Sequence, residues 1–93
     1  MGRLEKRINK WLNSPPFDAP AEEVQAVLKS HFPGRFRRKP CSHIVVRDER
    51  LRFSHGFEPF WEFTIPVSGG QRVKGRYLQR LARAIRIIEE LET

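Results

Sequence analysis

The chain has 93 residues, 39% hydrophobic and 31% charged, which suffices for one hydrophobic core and not for two. Its net charge of +7 points to a polyanionic partner, either nucleic acid or an acidic protein. One cysteine excludes an internal disulfide and fits a reducing, cytoplasmic setting. No apolar run reaches the roughly 18 residues of a membrane span, no signal-peptide pattern opens the chain, and the size excludes a large cofactor-binding enzyme.

Residues 3–12 read as a short amphipathic helix, with Leu4, Ile8, Trp11 and Leu12 on one face and Arg3, Lys6, Arg7 and Lys10 on the other. Asn13-Ser14-Pro15-Pro16 stops it, because tandem prolines cannot continue a helix. A second helix is predicted over about 19–32, with Asp18 as N-cap, Pro20 in the first turn and Glu22 and Glu23 at the positive end of the dipole. Val24, Val27, Leu28 and His31 form its apolar stripe, and Pro33-Gly34 ends it. Arg35 to Lys39 is a basic extended segment. Ser42 to Arg47 is β-branched at its centre and reads as a strand, with Ser42, Ile44 and Val46 on one face and His43, Val45 and Arg47 on the other. Asp48-Glu49-Arg50 reads as a polar turn, and 51–60 has no clear period. Phe60 to Ile65 is the next strand, closed by Pro66. A flexible loop over 68–71 precedes a last helix from about Lys74 to Leu91, whose apolar face includes Tyr77, Leu78, Leu81, Ile85 and Ile88. Arg76, Arg80 and Arg83 lie on its other side.

The order is α-α-β-β-β-α. The economical packing is a single α+β domain over 1–93: a three-stranded antiparallel sheet with two helices on one face, plus an N-terminal helical extension over 1–16. The apolar face of that extension must be covered, by this chain or by a second copy.

Two basic segments localise the charge. Residues 35–52 carry Arg35, Arg37, Arg38, Lys39, Arg47, Arg50 and Arg52. Residues 72–86 carry Arg72, Lys74, Arg76, Arg80, Arg83 and Arg86 with no acidic residue between them. A phosphate-tracking surface built from the first strands and the start of the last helix is the functional reading; two solvated faces are the bland one. His43 is the candidate for catalysis, since an imidazole titrates near neutrality and can take a proton from a ribose 2′-hydroxyl while nearby cations stabilise the developing phosphorane. His31, Cys41, His43 and His55 match no zinc spacing, no nucleophile elbow surrounds Ser42, and Gly69-Gly70 lacks the Lys of a phosphate loop. No metal and no cofactor are expected.

At Ser42-His43 the chain resembles a family. The residues that carry the resemblance are Lys29-Ser30-His31-Phe32, Phe36-Arg37-Arg38-Lys39, Ser42-His43-Ile44-Val45-Val46, Phe63-Thr64-Ile65-Pro66 and the helix Gly75-Arg76-Tyr77-Leu78-Gln79-Arg80-Leu81. In this order they resemble the HicA toxins of bacterial toxin–antitoxin systems, over about residues 10–91, in a longer or divergent form with the HicA-like core at 17–93. The resemblance implies a double-stranded-RNA-binding-like fold and a metal-independent endoribonuclease that cleaves mRNA and is neutralised by a HicB-like antitoxin. His43 takes the role of the family's essential histidine as general base. Arg37, Arg38, Lys39, Ser42, Arg72, Lys74, Arg76 and Arg80 fall on the RNA side, and the general acid is left between Lys39 and a water. The family pattern is Gly-Ser-His, and here Cys41 stands in place of the glycine. A non-catalytic RNA-binding module of the same fold, or an interaction domain for an acidic protein, are the alternatives.

Overall fold

The computed structural model describes residues 3–39, 43–54, 56–57, 60–69 and 71–92, with only the backbone at Arg3, Leu4 and Phe53. Helix α1 (Arg3–Asn13) buries Ile8 and Trp11, one turn apart on the face predicted for them. They are covered by this chain, because α1 packs along the last helix, α3 (Gly75–Leu91). Polar groups fix the pair at both ends. The Gln79 amide donates to the Leu12 carbonyl at 3.0 Å, and Arg86 donates to Glu5 at 2.8 Å and to Asn9. The first of these satisfies a carbonyl that the end of α1 leaves without an intrahelical donor.

The second helix starts later than its sequence predicts. Asp18–Pro20 forms strand β1, and α2 runs from Ala21 to His31. Asp18 is therefore no N-cap. Its carboxylate meets Arg72 at 2.6 Å, and Pro20 is extended with φ −62° and ψ 140°. The partner of β1 is β5 (Arg72–Lys74), antiparallel, with Ala19 opposite Val73 and both buried. From the sequence, 72–73 fall between the loop and a helix that starts near Lys74. Each of these strands is three residues long, so neither shows a readable alternation, and their pairing spans more than fifty positions. The ribbon also supplies helix starts: Ala21 N–H donates to Gln71 O at 2.7 Å, and Gly75 N–H to Phe17 O at 2.8 Å.

Val24, Val27 and Leu28 turn the inner face of α2 into the core, and Phe32 closes the helix with its N–H on the Leu28 carbonyl. After the Gly34 turn (φ 74°) come β2 (Phe36–Lys39), β3 (His43–Arg47) and β4 (Glu62–Pro66), an antiparallel sheet of order β2-β3-β4. The predicted strand 60–65 is thus shifted by two residues at its start, and Ser42 lies outside the described residues. Ile44, Val46, Phe63 and Ile65 point inward and are buried, with Phe32 and Phe57 edge-on to Phe63. The chain is a small α+β protein of three α-helices and two antiparallel sheets among the described residues, and no helix there is long and apolar enough to cross a membrane.

A short 3₁₀ helix (Glu49–Phe53) follows β3, in place of the predicted polar turn. Asp48 caps it and is 1% exposed. Its carboxylate accepts from Arg50 N–H at 2.9 Å and from the Arg50 guanidinium at 2.7 and 3.1 Å, with Arg35 at 3.7 Å. Arg50 continues to Glu92 beyond α3 at 2.7 Å. Burial opposes ionisation of Asp48, but the hydrogen bonds and charge of Arg50, aided by Arg35, outweigh it and hold the carboxyl below its ordinary value.

Two stability predictions follow from these contacts. Asp48 is depressed in the folded state, so its contribution is complete above the unfolded pKa and is lost as pH falls through the folded one. The urea midpoint should therefore fall below about pH 4, less steeply in Asp48→Asn, which at neutral pH should be less stable by about 2–4 kcal/mol. At Gly75 a Cβ would lie 2.2 Å from the Pro16 carbonyl oxygen. Alanine improves helix propensity by about 1 kcal/mol, but a backbone clash of that depth cannot be relieved by a rotamer. Gly75→Ala should lose about 1–3 kcal/mol net in urea unfolding.

Candidate nucleic-acid interface

The helices cover one face of the three-stranded sheet, and strand alternation sends every second residue to the other. On β3 these are His43, Val45 and Arg47, as their positions in the sequence predict. Register then assembles the open face. Lys39 and Pro66 flank His43, Arg37 and Thr64 flank Val45, and Glu62 lies opposite Arg47. Directly opposed residues have Cβ atoms about 4.5–5.5 Å apart, so the Lys39 and His43 side chains rise as neighbours. His43 is half-buried, and among the described residues no hydrogen-bond partner engages its ring. Arg37, Lys39 and Arg47 are exposed, and among the described residues none has a carboxylate within ion-pair distance.

The remaining cations lie elsewhere. Arg38 has the opposite phase to Arg37 and Lys39, pairing with inward-facing Ile44. It lines a shallow depression with Arg72, Gln71 and Ala21 at the start of α2. Arg72 is tied to Asp18, and Lys74 is exposed just before α3. Arg76, Arg80 and Arg83 share a second groove with Leu12, Gly56 and Phe57. There Arg80 donates to the Gly56 carbonyl at 2.6 Å and lies over the Phe57 and Phe63 rings at 5.4 and 5.7 Å. Arg35 and Arg50, counted among the basic residues of 35–52, are drawn to Asp48. The cations thus line the open sheet face, the α2 depression and the α3 groove.

The expected positions Ser42, Cys41 and His55 lie outside the described residues. Among the described residues no three His, Cys, Asp or Glu side chains cluster as metal ligands do. Arg47, counted among the cations of 35–52, reaches the open face by the same alternation as His43. Phe60 was not singled out from sequence: its placement depends on Trp61, whose φ of 61° turns the chain just before β4.

The chain matches no family model, no curated protein and no solved structure. Function is therefore to be sought in the open face itself.

The contacts of Arg80 make it a structural residue as well as a charge. Arg80→Ala should lower stability by about 1 kcal/mol in urea unfolding, through the lost carbonyl bond and ring contacts. Arg76→Ala, whose guanidinium lies over the neighbouring Tyr77 ring at 4.9 Å on the exposed side of α3, should change it by less than about 0.5 kcal/mol.

Proposed function

We propose that the open face of the β2-β3-β4 sheet cleaves RNA, and that the chain is a HicA-like ribonuclease toxin built on a double-stranded-RNA-binding-like core. The observation that carries this reading is the pairing of His43 with Lys39 across β2 and β3, with Arg37 one step along the same face. A proton acceptor beside two cations suits attack by a ribose 2′-hydroxyl on its neighbouring phosphate. His43 takes the 2′-proton as the 2′-oxygen bonds to phosphorus. Lys39 and Arg37 stabilise the charge on the phosphorane. The bond from phosphorus to the 5′-oxygen then breaks, leaving a 2′,3′-cyclic phosphate and a 5′-hydroxyl. The leaving oxygen takes its proton from Lys39 or from water. None of these steps calls for a metal.

The role of Arg76 and Arg80 in this reading is to extend RNA contact beyond the sheet, and that of Arg38, Arg72 and Lys74 to hold backbone phosphates at the α2 depression. The implied setting is the cytoplasm, with mRNA as substrate. The implied neutraliser is an acidic HicB-like antitoxin, for which the net charge of +7 supplies electrostatic complementarity. A second reading is a non-catalytic RNA-binding module, in which the cations of the open face hold RNA and His43 takes no part in chemistry.

The test is cleavage of single-stranded RNA in excess EDTA by the wild type and by His43→Ala, with circular dichroism to show that both are folded. The ribonuclease reading predicts cleavage by the wild type alone, with a loss of at least about 100-fold in the variant. Equal rates would remove His43 from the chemistry. Binding at low salt without cleavage by either protein selects the non-catalytic module.

A further inference from the structure

We infer that the Phe60 ring, backed by Arg47, is a stacking platform for an unpaired nucleobase, so that the open face engages single-stranded RNA with a base held a fixed distance from His43. This rests on the RNA reading above and adds the substrate's strandedness and a specificity residue to it. Phe60 is 58% exposed and Phe17 86%, whereas Phe32, Phe57 and Phe63 are buried almost completely; of the two exposed rings, Phe60 is the one with a cation over it. The Arg47 guanidinium lies over the ring, 5.6 Å from its centroid, and more than half of the residue stays exposed to solvent. A lone surface cation–π contact is weaker than the gain from burying a phenyl group, so that contact alone does not account for the exposed ring.

The backbone holds the ring in place at some cost. Trp61 adopts φ 61°, a region that L residues with bulky side chains rarely enter. That turn lets Asp48 N–H reach the Trp61 carbonyl at 3.1 Å and Glu62 N–H reach the Phe57 carbonyl at 3.2 Å. Phe57 thereby goes into the core, Trp61 packs half-buried against it, and Phe60 remains on the outside. Strain kept at a surface turn points to a use for what the turn displays.

The surroundings select the ligand. Beside Arg47 the face carries a depression of about 470 Å³, lined by Phe36, Arg37, Val45, Arg47 and Glu62 among others. Arg47 and His43 are four residues apart on one strand and one face, about 13 Å at the rise of a β-strand. That is a span of a few extended nucleotides, with Arg37 and Lys39 placed alongside to meet the backbone phosphates. Inside a duplex each base is covered on both faces by its neighbours, so away from the ends a protein ring stacks on unpaired bases.

The experiment is a fluorescence-anisotropy titration at low salt with a labelled 2′-O-methyl oligouridine, which lacks the attacking hydroxyl and stacks little on itself. Wild type, Phe60→Ala, Phe60→Leu and Phe60→Trp are compared, each checked for folding by circular dichroism. A labelled 2′-O-methyl duplex is the control. Loss of a stacked base should weaken single-strand binding by at least about fivefold in Phe60→Ala and Phe60→Leu. Phe60→Trp should stay within about twofold of wild type or bind more tightly, and duplex binding should be unchanged by all three. Wild-type affinity in Phe60→Ala and Phe60→Leu would overturn the stacking role while leaving RNA binding in place. No binding of either oligonucleotide by the wild type would overturn the RNA reading and this inference together, and would turn attention to an acidic protein as the ligand of the same face.

Discussion

A buried carboxylate sets the geometry on which the rest depends. Asp48 stands just past β3, with Arg50 closing on it through both its backbone and its guanidinium. The same guanidinium reaches Glu92 after α3 and approaches the His31 carbonyl at the end of α2 at 3.5 Å. Arg35, at the entry to β2, completes the charge balance. One ion cluster therefore joins α2 and α3 to the sheet at the same end. An uncompensated carboxylate at this depth would cost several kcal/mol, so the helices and strands are held together or the site is not formed. The network also consumes cations: Arg35 and Arg50 serve structure, which leaves Arg37, Lys39 and Arg47 to give the open face its positive character.

The division of the sheet into two faces links fold and proposed function. A three-stranded sheet in so short a chain has helices enough to cover one side. Ile44, Val46, Phe63 and Ile65 take that side, and the period of two then obliges His43, Val45 and Arg47 to take the other. A register shift of one residue would bury His43 and expose Ile44. The same hydrophobic burial that stabilises the core thus aims the imidazole outward and sets Lys39 beside it. α1 extends the core rather than the site, since its apolar residues are spent on α3.

Much of this was legible in the residues. The apolar stripes of α1 and α3 and the β-branched centre of β3 each stand out over a local window, and the orientation of His43 followed from alternation alone. The β1–β5 ribbon did not show, because two three-residue strands carry no period and Pro20 read as a helix start. Asp48-Glu49-Arg50 looked like a solvated turn, since nothing local reveals that Arg50 folds back onto a carboxylate shielded by distant elements. Arg38 was grouped with Arg37 and Lys39 by sequence adjacency, where the strand separates them by face. Phe60 depended on the left-handed turn at Trp61, which a non-glycine residue does not advertise. Ser42 and Cys41, the other residues of the motif, lie outside the described residues.

RNA is proposed to lie on the open sheet face. Amide and side-chain chemical-shift mapping of isotope-labelled protein, titrated with an uncleavable single-stranded oligonucleotide, tests it most directly. Perturbations are expected at Arg37, Lys39, His43, Val45, Arg47, Phe60 and Thr64, with the inward residues Ile44, Val46 and Ile65 moving less. Perturbations confined to the α3 groove around Arg76, Arg80 and Arg83, with the sheet face silent, would contradict it.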